Sequence, residues 1–153
     1  MTALAIGRLG DRDVVVSSGA GGAMLVWDVA GRVILRVKTG DRQSAAVGIG
    51  SLDGQDLIVQ AAYGGLLLLF DHEGRLAGRV ESRIDQPTAV ALGRFGDDQV
   101  TVVAGQDETV RVQAAGGRLA DSLDVLGVVR SIALLPDGRM CLATGKALVL
   151  LTG

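Results

Sequence analysis

The sequence predicts an all-β fold built from repeated four-stranded units. Nearly half of the 153 residues are apolar (48%), yet only 3% are aromatic, and 23 glycines but only two prolines are available to shape the loops. This composition suits many short strands joined by tight turns. A repeat strengthens the prediction: a turn, an apolar run and a closing Gly-Arg turn occur at 21–32, 64–75 and 107–118, 43 residues apart.

The first unit covers residues 2–43. Short apolar or β-branched runs alternate in it with polar or glycine turns, which predicts four strands, at 2–7, 14–18, 23–28 and 32–38. In the last of these, Val33, Leu35 and Val37 alternate with polar or charged positions such as Arg36 and Lys38. That pattern is typical of an outer, solvent-facing strand.

Three further units follow in register at 45–86, 88–127 and 129–153. Val16 recurs as Val59 and Val102 in the second and third units, so the register holds over long distances. The fourth unit has a shortened first turn and stops after its third strand. The sequence therefore predicts three complete units and one partial unit.

A four-stranded unit of about 40–45 residues is the size of a β-propeller blade. One small twisted sheet has two faces to cover, and it covers them by stacking on copies of itself. The first strands, which should line the central channel, are small and apolar in 3–6, 46–49 and 89–92. We predict a single β-propeller domain over 1–153, with an incomplete ring.

Several stretches resemble the WD-repeat propellers, particularly the bacterial kind with short turns. Trp27-Asp28 matches the signature dipeptide, 129–139 resembles a first strand with its Pro-Asp-Gly turn, and 104–112 resembles a second turn with its third strand. The resemblance covers essentially the whole chain and implies a rigid scaffold. It departs at the signature: Trp27 is the only tryptophan, and the Gly-His pair is absent, so the family's hydrogen-bonded histidine network cannot form.

Three and a half blades cannot close a ring, because propellers use about 4–8 blades. Two copies would supply eight units, and two-fold closure is the commonest homo-oligomer symmetry. We therefore expect a homodimer in which the fourth blade borrows or lacks its outer strand. Two alternatives stay open: pairing with a second half-propeller chain, and a fragment or engineered piece without independent function.

Charge and composition exclude some partners. The net charge of −2 argues against a nucleic-acid surface, and the longest apolar run, near 66–70, is far shorter than a membrane helix. The single cysteine, Cys141, fits a reducing compartment, and no signal peptide precedes the first strand. We expect a soluble, cytoplasmic protein with no nucleic-acid or membrane partner.

Catalytic chemistry is not expected. His72 and Cys141 are the only nucleophile–base candidates, and the repeat places them in an outer turn and in a strand of different blades. Residues 50–59 are also similar to the calcium loop of integrin-type repeats, but Asp53 and Asp56 are too few for a cation that takes 6–8 oxygen ligands. We therefore expect neither a cofactor nor a metal.

Binding remains, through the loops that follow the second and fourth strands, which share one face of a propeller. They vary between units while the frame is constant, as functional loops on a rigid scaffold do. Tyr63 and Arg83 are the leading candidates, because Tyr and Arg are enriched in binding hot spots. The predicted binding residues are Asp41, Arg42, Tyr63, Arg83, Asp85, Gln106, Asp107, Glu108, Arg130 and Lys146. We expect a protein or peptide ligand; the alternative is a lectin-like or small-ligand-binding propeller.

Overall fold

A computed structural model describes residues 3–19, 23–40, 43–114 and 119–153. This part of the chain contains fifteen strands and no helix. The strands are β1 (Ala3–Leu9), β2 (Arg12–Ser18), β3 (Ala23–Asp28), β4 (Val33–Lys38), β5 (Ser44–Leu52), β6 (Gln55–Ala62), β7 (Leu66–Phe70), β8 (Leu76–Glu81), β9 (Pro87–Phe95), β10 (Asp98–Gly105), β11 (Thr109–Ala114), β12 (Leu119–Asp124), β13 (Val129–Leu134), β14 (Met140–Thr144) and β15 (Leu148–Leu151). None of the described segments is a helix that could span a membrane.

The strands form four antiparallel sheets in chain order. Sheets β1–β4, β5–β8 and β9–β12 have four strands each, and β13–β15 has three. The predicted all-β propeller of four blades, the last without an outer strand, is confirmed. The first strand of each complete blade runs longer than predicted, because a two-residue turn such as Gly10-Asp11 lets β1 pair with β2 as far as Leu9 and Arg12.

The blades stack face to face, and each joint has its own apolar core. We call the side of a blade that faces the preceding blade its leading face, and the other its trailing face. Val16 and Val26 on the trailing face of the first blade pack with Ile58 and Phe70 on the leading face of the second. Equivalent cores join the second blade to the third and the third to the fourth. Since each sheet is only one layer, these joints carry most of the hydrophobic stabilisation.

The first strands β1, β5, β9 and β13 lie side by side and line the channel, as predicted. Their close approach requires glycine. A Cβ at Gly50 would overlap the backbone carbonyl of Leu92 on the next blade, and one at Gly7 would lie 3.0 Å from Cβ of Ile49. The small residues of the channel strands therefore set the distance between blades.

The repeated Asp–Gly-Arg turn is a hydrogen-bonded unit. In the first blade, Oδ1 of Asp28 accepts the backbone N–H groups of Ala30 and Arg32 at 3.0 and 2.9 Å, and Oδ2 accepts Nε of Arg32 at 2.9 Å. In the second blade Asp71 and Arg75 repeat the arrangement. Asp28 is thus a turn residue, and only its neighbour Trp27 belongs to blade packing.

These turns lower the pKa of their aspartates. The backbone N–H of Arg32 is the main cause for Asp28 and that of Arg139 for Asp137, each aided by the arginine side chain. At Asp71 partial burial works in the opposite direction, but the hydrogen bonds from Arg75 and Glu73 outweigh it, so the pKa is lowered as well. The charged carboxylate is the form that the turn stabilises.

The 43-residue repeat aligns Cys141 with Thr101 of the third blade and so predicts that the two side chains lie on the same face of their blades; the structure places Cys141 on the opposite face. Met140 pairs with Leu134 as Thr101 pairs with Leu92, so Met140 takes that position and is fully buried. The reason is a shorter first hairpin in the fourth blade, which shifts β14 and moves each side chain to the other face. Cys141 is half-buried on the trailing face.

Candidate functional site: the loop face

The loops after the second and fourth strands meet on one face of the propeller, which we call the loop face. Gly64 N–H donates to the carbonyl of Asp85 at 2.9 Å, and Ser82 N–H donates to the carbonyl of Gly65 at 2.8 Å. The same 82–86 loop accepts the N–H of Gln106, from the next blade, on the carbonyl of Gln86 at 3.0 Å. Backbone hydrogen bonds therefore hold the loop face rigid within and between blades.

Four predicted residues line one cleft between the second and third blades. Its volume is about 270 Å³, and its lining includes Arg83, Asp85, Gln106 and Asp107. Ile84 anchors the loop below them: it is buried, and a Cβ at Gly105 would lie 2.5 Å from its Cγ2. Glycine at 105 thus lets the loop sink into the joint while its polar neighbours stay exposed.

Three more predicted residues line a second cleft, between the third and fourth blades. Glu108, Arg130 and Lys146 surround a space of about 470 Å³. Val125 N–H donates to the carbonyl of Glu108 at 2.9 Å, which ties this loop to the neighbouring turn. The cleft offers two cations and one carboxylate to a ligand.

Tyr63 and Leu126 are exposed apolar side chains of the described loop face. Tyr63 is 45% exposed, and Leu126, in the second cleft, is 95% exposed. Sequence reasoning named Tyr63 but missed Leu126; its signal was a leucine in the turn Asp124-Val125-Leu126-Gly127, where a polar residue is usual. Of the remaining predicted residues, Asp41 and Arg42 lie outside the described part of the chain.

Within the described part of the loop face, two residues other than glycine have left-handed backbone conformations. Arg83 has φ of 59° and Glu108 has φ of 63°. Such conformations cost about 1–3 kcal/mol and cluster at binding and catalytic sites, where the surrounding structure holds them. They set the direction in which the Arg83 and Glu108 side chains leave the backbone, one at each cleft.

The remaining candidates for chemistry lie apart. His72 sits in the turn after β7 of the second blade, with Nε2 at 3.6 Å from Glu73, whereas Cys141 is in β14 of the fourth blade. The third blade separates them, so they do not form a nucleophile–base pair. Among the described residues there is no cluster of three or more His, Cys, Asp or Glu side chains placed to hold a metal.

Comparisons with known proteins support the fold. No family model matches the sequence. No curated protein matches it. Among solved structures, the WD40 β-propeller domain of Doa1 is similar with a TM-score of 0.69 and 18% identity over 90% of this chain and 46% of that one. BBS1N, solved in complex with ARL6DN, is similar with a TM-score of 0.73 and 15% identity over 99% of this chain and 49% of that one. The chain thus has a WD-repeat-like propeller fold and spans about half the length of these neighbours.

Proposed function

We propose that this WD-repeat-like propeller chain is a non-enzymatic scaffold in the cytoplasm, which pairs with a second copy into an eight-bladed ring and binds a protein or peptide on its loop face. The observation that carries the proposal is the exposure of its two end faces. Positions whose side chains are buried at the internal joints also occur on the two end faces, where apolar side chains are exposed to solvent.

The trailing face of the fourth blade comprises Ala133, Cys141, Ala143, Leu148 and Leu150. Cys141, Ala143, Leu148 and Leu150 match, in that order, Val102, Ala104, Val110 and Val112 of the third blade. Those third-blade residues are at most 2% exposed. Leu148 and Leu150, by contrast, are 74% and 52% exposed. This face has the side chains of an internal joint without the neighbouring blade.

The leading face of the first blade is the complementary surface. It comprises Ile6, Val15, Ser17, Leu25 and Trp27. Trp27 stands where the second blade has Phe70, which is 3% exposed and packed against the first blade. Ile6 is 81% exposed. A blade stacked on this face would bury both Trp27 and Ile6.

Two-fold pairing satisfies both ends at once. The trailing face of each copy would cover the leading face of the other, giving two identical joints and no exposed end. The neighbours are about twice as long as this chain, which agrees with two copies supplying one ring. The new joint would differ from the internal ones near the channel, because Leu135 follows β13 where the first three blades have glycine.

A cross-linking experiment tests the pairing. Stacked sheets lie about 10 Å apart, so a bismaleimide of about that length spans one joint. We expect Val15→Cys to be linked covalently to Cys141 of the second copy, giving a dimer on a denaturing gel. The unchanged chain and Val29→Cys, a turn variant, should stay monomeric on the gel. A folded Val15→Cys variant that gives no dimer would contradict the ring.

The loop face supplies the binding function. It presents exposed Tyr63 and Leu126 beside charged side chains, the combination of apolar anchor and polar rim found in protein interfaces. A pull-down with Tyr63→Ala and Leu126→Ser should lose the partners that the unchanged chain recovers. The control is Val29→Ser, because Val29 is 81% exposed but lies in the turn between β3 and β4. Equal recovery by all three variants would count against this face.

A further inference from the structure

The two clefts of the loop face are built on the same backbone frame. Beside the first cleft, Ser82 N–H donates to the carbonyl of Gly65 at 2.8 Å, and beside the second, Val125 N–H donates to the carbonyl of Glu108 at 2.9 Å. Each residue of the second pair lies 43 positions after its counterpart in the first, so the two hydrogen bonds are equivalent. The residues that follow Ser82 and Val125 therefore occupy equivalent places and can be compared one by one.

The second cleft lacks the isoleucine that fills the first. Ile84 is buried against Gly105 between the second and third blades, whereas its equivalent between the third and fourth blades is Gly127. Gly127 has φ of 106°, a conformation that strains any residue with a side chain. Thr144 takes the place of Gly105, since each is the last residue of its strand to pair before a register shift. The second cleft has a volume of about 470 Å³, against about 270 Å³ for the first.

A β-bulge carries one cation of the second cleft. The pairing of β13 with β14 passes from Val129 to Ser131, so Arg130 is the extra residue. Such a bulge redirects the side chain that it carries. The same bulge carries Ala45 in the second blade and Thr88 in the third. Among these three blades the bulge therefore presents a charge only at the second cleft.

A capped turn carries the other cation. Oγ1 of Thr144 accepts the backbone N–H groups of Lys146 and Ala147 at 3.3 and 3.0 Å, which holds the backbone of the turn. Lys146 and Arg130 are both exposed, and within the described residues neither is in an ion pair. Glu108 is the carboxylate of the described lining, so two cations face one anion. We call the second cleft the basic cleft.

The basic cleft also has an apolar rim, which the first cleft lacks at the same place. Leu126 is 95% exposed and lies at the repeat position that Arg83 occupies beside the first cleft. The first cleft combines Arg83 with two carboxylates, those of Asp85 and Asp107. The two clefts thus have opposite charge balances on one backbone frame, and only the basic cleft combines free cations with an exposed leucine.

We propose that the basic cleft binds an acidic peptide segment of a partner protein, in which an apolar side chain lies next to aspartate or glutamate. This inference rests on the proposed binding function of the loop face and specifies the ligand. The apolar side chain would pack on Leu126 and over Gly127, because burying apolar surface is favourable. The flanking carboxylates would pair with Arg130 and Lys146, whose charges are not compensated within the described chain.

Peptide display tests the ligand chemistry without assuming a sequence. The full chain is immobilised and used to select from a library of short random peptides. We expect the selected peptides to share an apolar residue flanked by aspartate or glutamate. Peptides without that pattern would refute the inference while leaving the loop face as a binding surface. A selection that enriches no peptide would contradict the proposed binding function as well.

Matched charge reversals locate the site. Binding of a labelled selected peptide is followed by anisotropy, and it should weaken with salt because exposed charge pairs are screened. Arg130→Glu with Lys146→Glu should weaken it about ten-fold, the scale of two reversed charge pairs. The control is Arg12→Glu with Arg79→Glu, which makes the same charge change at exposed residues outside the cleft lining and should leave the affinity unchanged.

Two results would overturn the assignment. Equal loss of affinity in the two double variants would show that only the overall charge of the chain matters. Equal binding of a peptide whose aspartates and glutamates are replaced by asparagine and glutamine would show that the carboxylates are not recognised. Loss of binding in Arg130→Glu with Lys146→Glu alone, together with loss in the amide peptide, is the expected result.

Discussion

The indole N–H of Trp27 donates a hydrogen bond to Oγ of Ser17 at 2.8 Å, and both side chains lie on the leading face of the first blade. The hydrogen bond satisfies the only polar group of the indole, so the ring can be buried without leaving an unpaired donor. The repeat carries Phe70 and Gln113 at the same position, and Gln113 donates to the carbonyl of Glu81 on the preceding blade at 2.9 Å. This position contacts the preceding blade wherever one is present.

Trp27→Ala should therefore weaken self-association more than it weakens the fold. We expect a loss of about 2 kcal/mol in dimerisation, which is about thirty-fold in Kd, because tryptophans at interface centres are hot spots. Sedimentation equilibrium measures the Kd, with Val29→Ser, a variant of an exposed turn residue, as the control. A Trp27→Ala variant with unchanged Kd would show that the indole is outside the joint.

Removing the Asp71 carboxylate should destabilise the second blade. Asp71→Ala removes acceptors for Glu73 N–H, Arg75 N–H and Arg75 Nε, at 2.9, 2.9 and 3.2 Å. We expect the free energy of unfolding to fall by about 1 kcal/mol, the usual net value for such hydrogen bonds. Urea unfolding measures it. The free energy of unfolding of the control Asp11→Ala, in an exposed turn of the first blade, should fall by much less. An equal loss in both variants would contradict the stabilising role of the Asp71 turn.

The same turns predict an acid dependence of stability. The folded pKa values of Asp28, Asp71 and Asp137 lie below the ordinary value of 3.8, so these carboxylates stabilise the fold above about pH 4. That contribution declines as the pH falls below 3.8 through the folded values. The triple variant Asp28→Asn, Asp71→Asn, Asp137→Asn should therefore be less stable than the parent at about pH 6, with a smaller difference at about pH 3. A constant difference in urea unfolding at both pH values would rule out this linkage.

Gly50→Ala should be strongly destabilising. The added methyl group would overlap the carbonyl oxygen of Leu92, which is backbone and cannot move without separating the second and third blades. We expect a loss of about 2 kcal/mol or more, as for other overpacked sites. Gly145→Ala is the matched control, because a Cβ there meets nothing within 4 Å. Thermal unfolding with Tm values equal for the two variants would show that the channel strands tolerate wider spacing.

The fold could be predicted from the sequence because the 43-residue repeat occurs in several copies, and each copy supports the strand assignment of the others. Val16, Val59 and Val102 are all fully buried at the same place in successive blades. The repeat placed the four strands of the first blade to within two residues of their ends, because the turns between the strands recur in the later units. The repeat also identified the loops that meet on one face.

Features set by local geometry or by contacts between residues distant in the chain could not be predicted from the sequence. The face of Cys141 depended on a shorter hairpin, because one misplaced residue reverses every side chain of a strand. The left-handed conformations of Arg83 and Glu108 have no composition signal. Asp97 of a turn and Asp121 of β12 line the same groove, and only the folded third blade brings them together.

The mass of the chain in solution tests the central claim most directly. Light scattering coupled to size-exclusion chromatography at micromolar concentration should give twice the chain mass of 15.7 kDa. Such a value is the one that two chains closing one eight-bladed ring predict. A soluble, cooperatively folded species of 15.7 kDa at the same concentration would contradict the account, because it would show that the exposed end faces need no second copy.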